Sequence, residues 1–230
     1  MNISSRQEII LLTLIKEYIK TAQPISSGFL VDKYNLGISS ATARNEMAGL
    51  EELNYIYQPY TSAGRVPTEK AYNFFVKKYL NDSATKFHKF KTLEDFSMNS
   101  EEDFKKMAKA IAELSNNAVF WALNKNNLYY TGVSNLFIQP EFKSSDVVYD
   151  ISIVIDRMEE IISDKFNSFE IGENIFIGNN NPFGNFLSMI LLKYKYNNQI
   201  GIVGLLGPMR MDYEKNISLI KFLKSKLQIK

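Results

Sequence analysis

Residues 39–53 read SSATARNEMAGLEEL, and residues 58–68 read QPYTSAGRVPT. The first stretch opens with two serines, which suit a helix N-cap, and continues with apolar residues at helical spacing. At about 100° per residue, Ala43, Met47 and Leu50 fall on one face of that helix. Ala41, Asn45, Ala48 and Glu52 fall on the opposite face, flanked by Thr42 and Arg44. Small side chains let a helix backbone approach the floor of a DNA groove. Asn can bond bidentately to adenine and Arg to guanine. Ser39, Ser40 and the free amides of a helix start suit a phosphate. A merely solvated helix shows a similar outer face, so this pattern alone does not select DNA.

The second stretch follows a short β-prone run, Tyr55 to Gln58, that Pro59 stops. Thr61, Ser62, Gly64 and Arg65 are turn chemistry with a cation at the exit. They are the candidate wing, expected to hold backbone phosphates, with Gly64 permitting the tight turn. Upstream, Leu11, Leu14, Ile15 and Tyr18 define a first amphipathic helix that Ser4 or Ser5 can cap. Ser26 or Ser27 can cap a second helix, and Gly37 is expected to end it. Val66-Pro67-Thr68 leads into a fourth helix. Helix, helix, turn, helix, short strand and Gly-containing loop make a winged helix-turn-helix pattern over residues 1–82, with the third helix as the groove reader.

Composition narrows the rest. The 230 residues are 45% hydrophobic and 23% charged, with net charge +2, which is an ordinary globular profile. Cysteine is absent and His88 is the single histidine. Disulfides, thiolate chemistry, Zn sites of His/Cys type and Ser-His-Asp triads therefore lose their parts, and no enzyme is expected. The longest apolar runs, Ile9 to Ile15 and Met189 to Leu192, fall far short of the ~20 residues that span a bilayer. With no basic n-region at the start, the expectation is a cytoplasmic protein without membrane contact.

Residues 83–103, rich in Lys and then in Glu and Asp, read as a solvated linker. Residues 104–230 read as a second, mixed α and β domain, which makes the fold class α+β. Phe104, Met107, Ala108, Ile111 and Leu114 form a helical stripe. Val119 to Leu123 and Leu128 to Thr131 are strands joined by a hairpin turn at 124–127. Asp146 to Ser163 is a helix with a strand alternative over part of it. Glu173 to Ile177, Asn185 to Tyr196 and Gln199 to Leu206 are strand candidates, and Asp212 can cap a last helix. Gly201, Gly204 and Gly207 lack the Lys-Ser/Thr of a phosphate loop and read better as strand glycines. Arg210 and Asp212 suggest either a subunit contact or a local ion pair at a helix start.

Five segments in order resemble the heat-inducible transcription repressor family HrcA. They are YIKTAQPISS at 18–27, the two stretches quoted first, TGVSNLFIQPEF at 131–142 and GIVGLLGPMRMDY at 201–213. The resemblance implies a repressor of heat-shock (chaperone) genes that binds an inverted-repeat operator as a homodimer, is relieved on heat stress and has a GroE-type chaperonin as partner. It also implies a winged helix joined to a GAF-like domain. No cofactor is implied. The DNA-binding positions carried over are Ser39, Ser40, Ala41, Thr42, Arg44, Asn45, Thr61, Ser62, Gly64 and Arg65. This chain departs from the pattern twice. The stretch before TGVSNL that holds the family's inserted dimerising domain is mostly missing, so the GAF-like domain is reduced. Tyr60 stands where the family has His. An alternative is a winged-helix regulator controlled by a small molecule in its C-terminal domain.

Overall fold

The computed structural model describes residues 3–81, 90–196 and 198–227. His88 and residues 83–89 of the expected linker lie outside the described residues. The chain forms two compact units, Met1–Ser83 and Ala84–Lys230.

Unit 1 begins with α1 (Ser5–Thr21), α2 (Ser27–Tyr34) and α3 (Ser40–Glu52). Each has a serine N-cap. Ser4, Ser26 and Ser39 accept hydrogen bonds from the amides of Gln7, Phe29 and Thr42 respectively. Gln7 completes a capping box with Ser4. Gly37 does not end α2. Asn35 does, in the left-handed conformation, with φ of 47° and its amide bonded to the Val31 carbonyl. Asn tolerates that region better than other residues with a side chain, so the chain has turned before it reaches the glycine. β1 (Ile56–Tyr57) and β2 (Val66–Pro67) pair antiparallel, and α4 (Glu69–Asn81) follows. Leu11, Leu14 and Ile15 of α1, Leu30 of α2 and Leu50 of α3 are fully buried and form the centre of this unit with Tyr72 and Phe75 of α4.

Unit 2 opens with a single helical turn, α5 (Lys91–Glu94), and the amphipathic α6 (Glu101–Ser115). The stretch read as a solvated linker is thus partly packed. Phe90, Leu93 and Met98 are buried, and the Phe90 ring meets Phe222 edge-on with centroids 5.9 Å apart. Charge dominates that stretch by number, and its few apolar residues find the core.

A five-stranded antiparallel sheet forms the middle layer, in the order β4-β3-β7-β6-β5. Its strands are β3 (Ala118–Asn124), β4 (Asn127–Thr131), β5 (Gly172–Ile177), β6 (Leu187–Tyr196) and β7 (Gln199–Pro208). Alternation sorts the side chains. Ala118, Phe120 and Ala122 of β3 join Met189, Leu191, Ile202 and Leu206 in a cluster beneath α7 (Ser134–Phe137), α8 (Ser145–Asp156) and α9 (Met158–Lys165). Trp121 faces the other side, where its ring meets Phe104 of α6 and its Nε1 donates to the Tyr194 hydroxyl at 2.6 Å. Asp212 caps α10 (Tyr213–Lys226) by accepting from the Lys215 amide. The stretch with two possible readings, 146–163, is helical and breaks at Arg157.

The remaining candidates resolve structurally. Gly204 lies in β7, where a Cβ would fall 2.2 Å from the Phe120 ring, so the glycine makes room for an aromatic core residue. Arg210 does not pair with Asp212. It forms an ion pair with Glu141 and donates to Gln139 Oε1 at 2.8 Å, which ties the GPMRMDY segment to the QPEF segment. Asn135, four residues before Gln139, donates to the carbonyls of Ala112 and Asn117 at 3.0 Å each and closes the end of α6.

Candidate nucleic-acid interface

The helix α3 is oriented by its apolar face. Ala43, Met47 and Leu50 are buried against the rest of unit 1. Ser40, Ala41, Arg44, Asn45, Ala48 and Glu52 are consequently exposed, and Thr42 is half-buried. Among the described residues no ion pair engages Arg44. Ser39 is committed to the helix cap, with its Oγ 3.1 Å from the Thr42 amide and 2.9 Å from the Thr42 hydroxyl.

The loop between β1 and β2 contains the other predicted positions. Ser62 holds the left-handed conformation there, with φ of 68°. Gly64 does not. Its role is close approach: a Cβ at Gly64 would sit 2.4–2.6 Å from backbone atoms of Ile25. Ile25 and Arg65 form an antiparallel bridge with two backbone hydrogen bonds of 2.9 and 2.8 Å, which fastens the base of the loop to the segment before α2.

Arg65 is not the free cation that the sequence suggests. Its Nε donates to Glu51 Oε2 at 2.8 Å, and its side chain is only 20% exposed. The other oxygen of that carboxylate, Oε1, accepts from the Gln58 amide at 3.1 Å. The Gln58 side chain then donates to the Ala63 carbonyl at 3.0 Å across the loop. A cleft of about 440 Å³ opens between the start of α2, α3 and this loop. Arg44, Ser62, Gly64 and Arg65 line it together, so α3 and the loop share one concave surface.

Sequence reasoning missed Glu51, Gln58 and Ile25. The one available signal was Glu51 itself. An acid in the last turn of a helix opposes the macrodipole, and here α3 has no basic residue in its last turn to offset it. Such a residue implies a partner elsewhere.

A second acid sets the helix arrangement. Glu17 on α1 is 1% exposed, accepts from Lys33 Nζ at 2.7 Å and also bonds the Tyr34 hydroxyl. The Lys33 hydrogen bond, followed by that of Tyr34, holds the Glu17 carboxyl below its ordinary pKa. Burial first, and then the neighbouring carboxylate, pushes Tyr34 up to about 12.

Residues 68–217 match the family model described as the HrcA protein C terminal domain. A heat-inducible transcription repressor HrcA of Carboxydothermus hydrogenoformans is 27% identical over 334 aligned positions, covering 98% of this chain and 97% of that protein. Those positions exceed the 230 residues of this chain by at least 104, which places a large gap opposite the relative. A repressor of the same name from Thermoanaerobacter sp. (strain X514) is 40% identical over 131 residues, or 55% of this chain and 38% of its own length. That from Pelotomaculum thermopropionicum is 50% identical over 76 residues, 33% of this chain and 22% of its own. A crystal structure of a hypothetical protein shares the fold, with a TM-score of 0.85, 19% identity and 98% coverage of both chains.

Proposed function

The chain belongs to the HrcA family of heat-inducible transcription repressors, DNA-binding regulators linked to heat shock, and on that premise we propose that unit 1 is a winged helix in which α3 reads bases and the β1–β2 loop is the wing. One observation carries the reading: burial of Ala43, Met47 and Leu50 turns Arg44 and Asn45 outward, and Arg44 lines the same cleft as the wing residues Ser62, Gly64 and Arg65. Asn45 and Arg44 supply bidentate base contacts. Ser40 at the first turn of α3, with Thr61 and Ser62 in the wing, supplies hydroxyls for backbone phosphates. Ala41 keeps the groove-facing side narrow. No helix among the described residues is long and apolar enough to cross a membrane.

The same reading makes the protein a cytoplasmic homodimer on an inverted-repeat operator, with a GroE-type chaperonin as its regulatory partner and residues 104–230 as a reduced GAF-like domain. Charge supports the dimer. Residues 1–85 carry nine Lys and Arg against eight Asp and Glu, a net of +1. One module with so little excess charge gains little from the phosphate backbone, and two linked modules gain through effective concentration.

The test begins by selecting duplexes from a random library with the full-length chain, then measuring their affinity by fluorescence anisotropy. Arg44→Ala and Asn45→Ala should each weaken the selected duplex by about 1–3 kcal/mol and random DNA by less. Unchanged affinity for the selected duplex in both variants would remove α3 from the reading role.

A further inference from the structure

We propose that Glu51 is a positioning residue that sets DNA selectivity by holding the wing at a fixed angle to α3 and by keeping Arg65 away from the phosphate backbone. The inference rests on the assignment of α3 and the wing as the DNA surface. It goes beyond that assignment by giving a role to a residue that faces no base.

The geometry is that of a two-armed clamp. Glu51 is the penultimate residue of α3, with its side chain 35% exposed. One oxygen binds the first residue of the loop through the Gln58 amide, and the other binds the last through Arg65 Nε. Both ends of the eight-residue span 58–65 are thereby referred to the reading helix. The Ile25–Arg65 bridge supplies a second point of attachment, and Gly64 lets the chain lie against Ile25 closely enough to form it. A wing held at three points presents Thr61 and Ser62 in one geometry. Preorganisation of this kind favours the one groove shape that fits and gives nothing to a shape that does not.

Charge gives the clamp a second effect. A cation engaged by a carboxylate releases few counterions when DNA binds, so Arg65 adds little to sequence-independent affinity. Arg44 then carries most of the positive charge in the cleft. Glu51 therefore suppresses random binding while it supports specific binding, and its removal should move the two in opposite directions.

Full-length Glu51→Gln keeps an acceptor oxygen for the Gln58 amide and loses the charge. Against a duplex selected by the wild-type chain and against random DNA, we expect the selectivity ratio to fall about tenfold. Random DNA should bind more tightly, with a salt slope steeper by about 0.9 for one released cation. The thermal midpoint should stay near the wild-type value. Arg65→Gln in the Glu51→Gln background should abolish the gain in slope. A ratio and slope that match wild type overturn the clamp. So do parallel losses on both duplexes that track a lowered thermal midpoint, and so does a gain that survives Arg65→Gln, since simple repulsion by Glu51 would explain it. Arg44→Ala and Asn45→Ala are measured alongside. If both leave the selected duplex unaffected, the interface assignment fails, and that outcome is distinguishable from failure of the clamp alone.

Discussion

In unit 1, α1 is tied to each of the other three helices by an acid–base pair: Glu17 with Lys33 of α2, Arg6 with Glu46 of α3, and Glu8 with Lys78 of α4. A fourth pair, Glu51 with Arg65, joins α3 to the β1–β2 loop. In unit 2 rings do much of this work. Phe104, Trp121, Tyr194 and Tyr196 meet edge-on with centroids 5.1–6.5 Å apart, and Phe120 and Phe142 pack with Phe183 and Phe186 on the opposite face of the sheet. Two ion pairs of unit 2, Lys105–Glu101 and Arg157–Glu160, span only one helical turn, while Arg210–Glu141 and Lys224–Glu173 join distant segments. Of the nine cations in residues 1–85, at least four, Arg6, Lys33, Arg65 and Lys78, are engaged with acids in this way, while Arg44 is exposed.

The contrast can be broken by deletion on either side. Trp121→Ala should cost the most, about 3–5 kcal/mol in urea unfolding, because it removes a fully buried ring and orphans the Tyr194 hydroxyl. A loss below about 1.5 kcal/mol would mean that rings do not dominate unit 2. Gly64→Ala should cost about 1–3 kcal/mol, since the added methyl must displace the Ile25 backbone. Hydrogen exchange at the Ile25 and Arg65 amides should rise in that variant. Unaltered protection there would show that the wing is not anchored at this bridge.

Glu17→Gln should cost about 1–2 kcal/mol at neutral pH, less than a fully buried pair because Lys33 is 47% exposed. The pH dependence has a fixed sign. The folded-state pKa of Glu17 is lowered, so its stabilisation is complete above the unfolded carboxylate value of about 4.3 and is lost as pH falls through the lower folded value. Denaturation of the two proteins should converge as pH drops through that window. A gap that stays constant would assign the effect to shape rather than charge. Arg6→Ala should matter least, about 0.5 kcal/mol, since Arg6 is 58% exposed and its pair with Glu46 is screened.

The helical order of unit 1 and the two faces of α3 were legible in the sequence because serine caps and apolar spacing act locally. The strands of unit 2 were legible for the same reason, down to the hairpin at Asn124–Asn127. What was not legible depends on contacts across sequence distance. Arg65 reads as a wing cation until Glu51, 14 residues earlier, is seen to hold it. Gly64 reads as a turn glycine until Ile25 is found against it. Arg210 reads as a subunit contact or a local partner for Asp212, and its pairing with Glu141 and Gln139 is seen only in the fold. Residues 90–98 read as solvated because they lie within the charge-rich stretch 83–103, although Phe90, Leu93 and Met98 are buried.

The absence of cysteine from the chain allows the central claim, that the outer face of α3 enters the major groove, to be tested directly. Ala41→Cys places a single thiol on that exposed face, and an iron chelate attached to it cleaves DNA within reach. On a duplex selected by the wild-type chain, the account predicts cleavage confined to the two half-sites, at positions related by the dyad of the inverted repeat, and none from the same chelate left unattached beside the wild-type chain. Cleavage scattered along the duplex, or none above that of the unattached chelate, would contradict it.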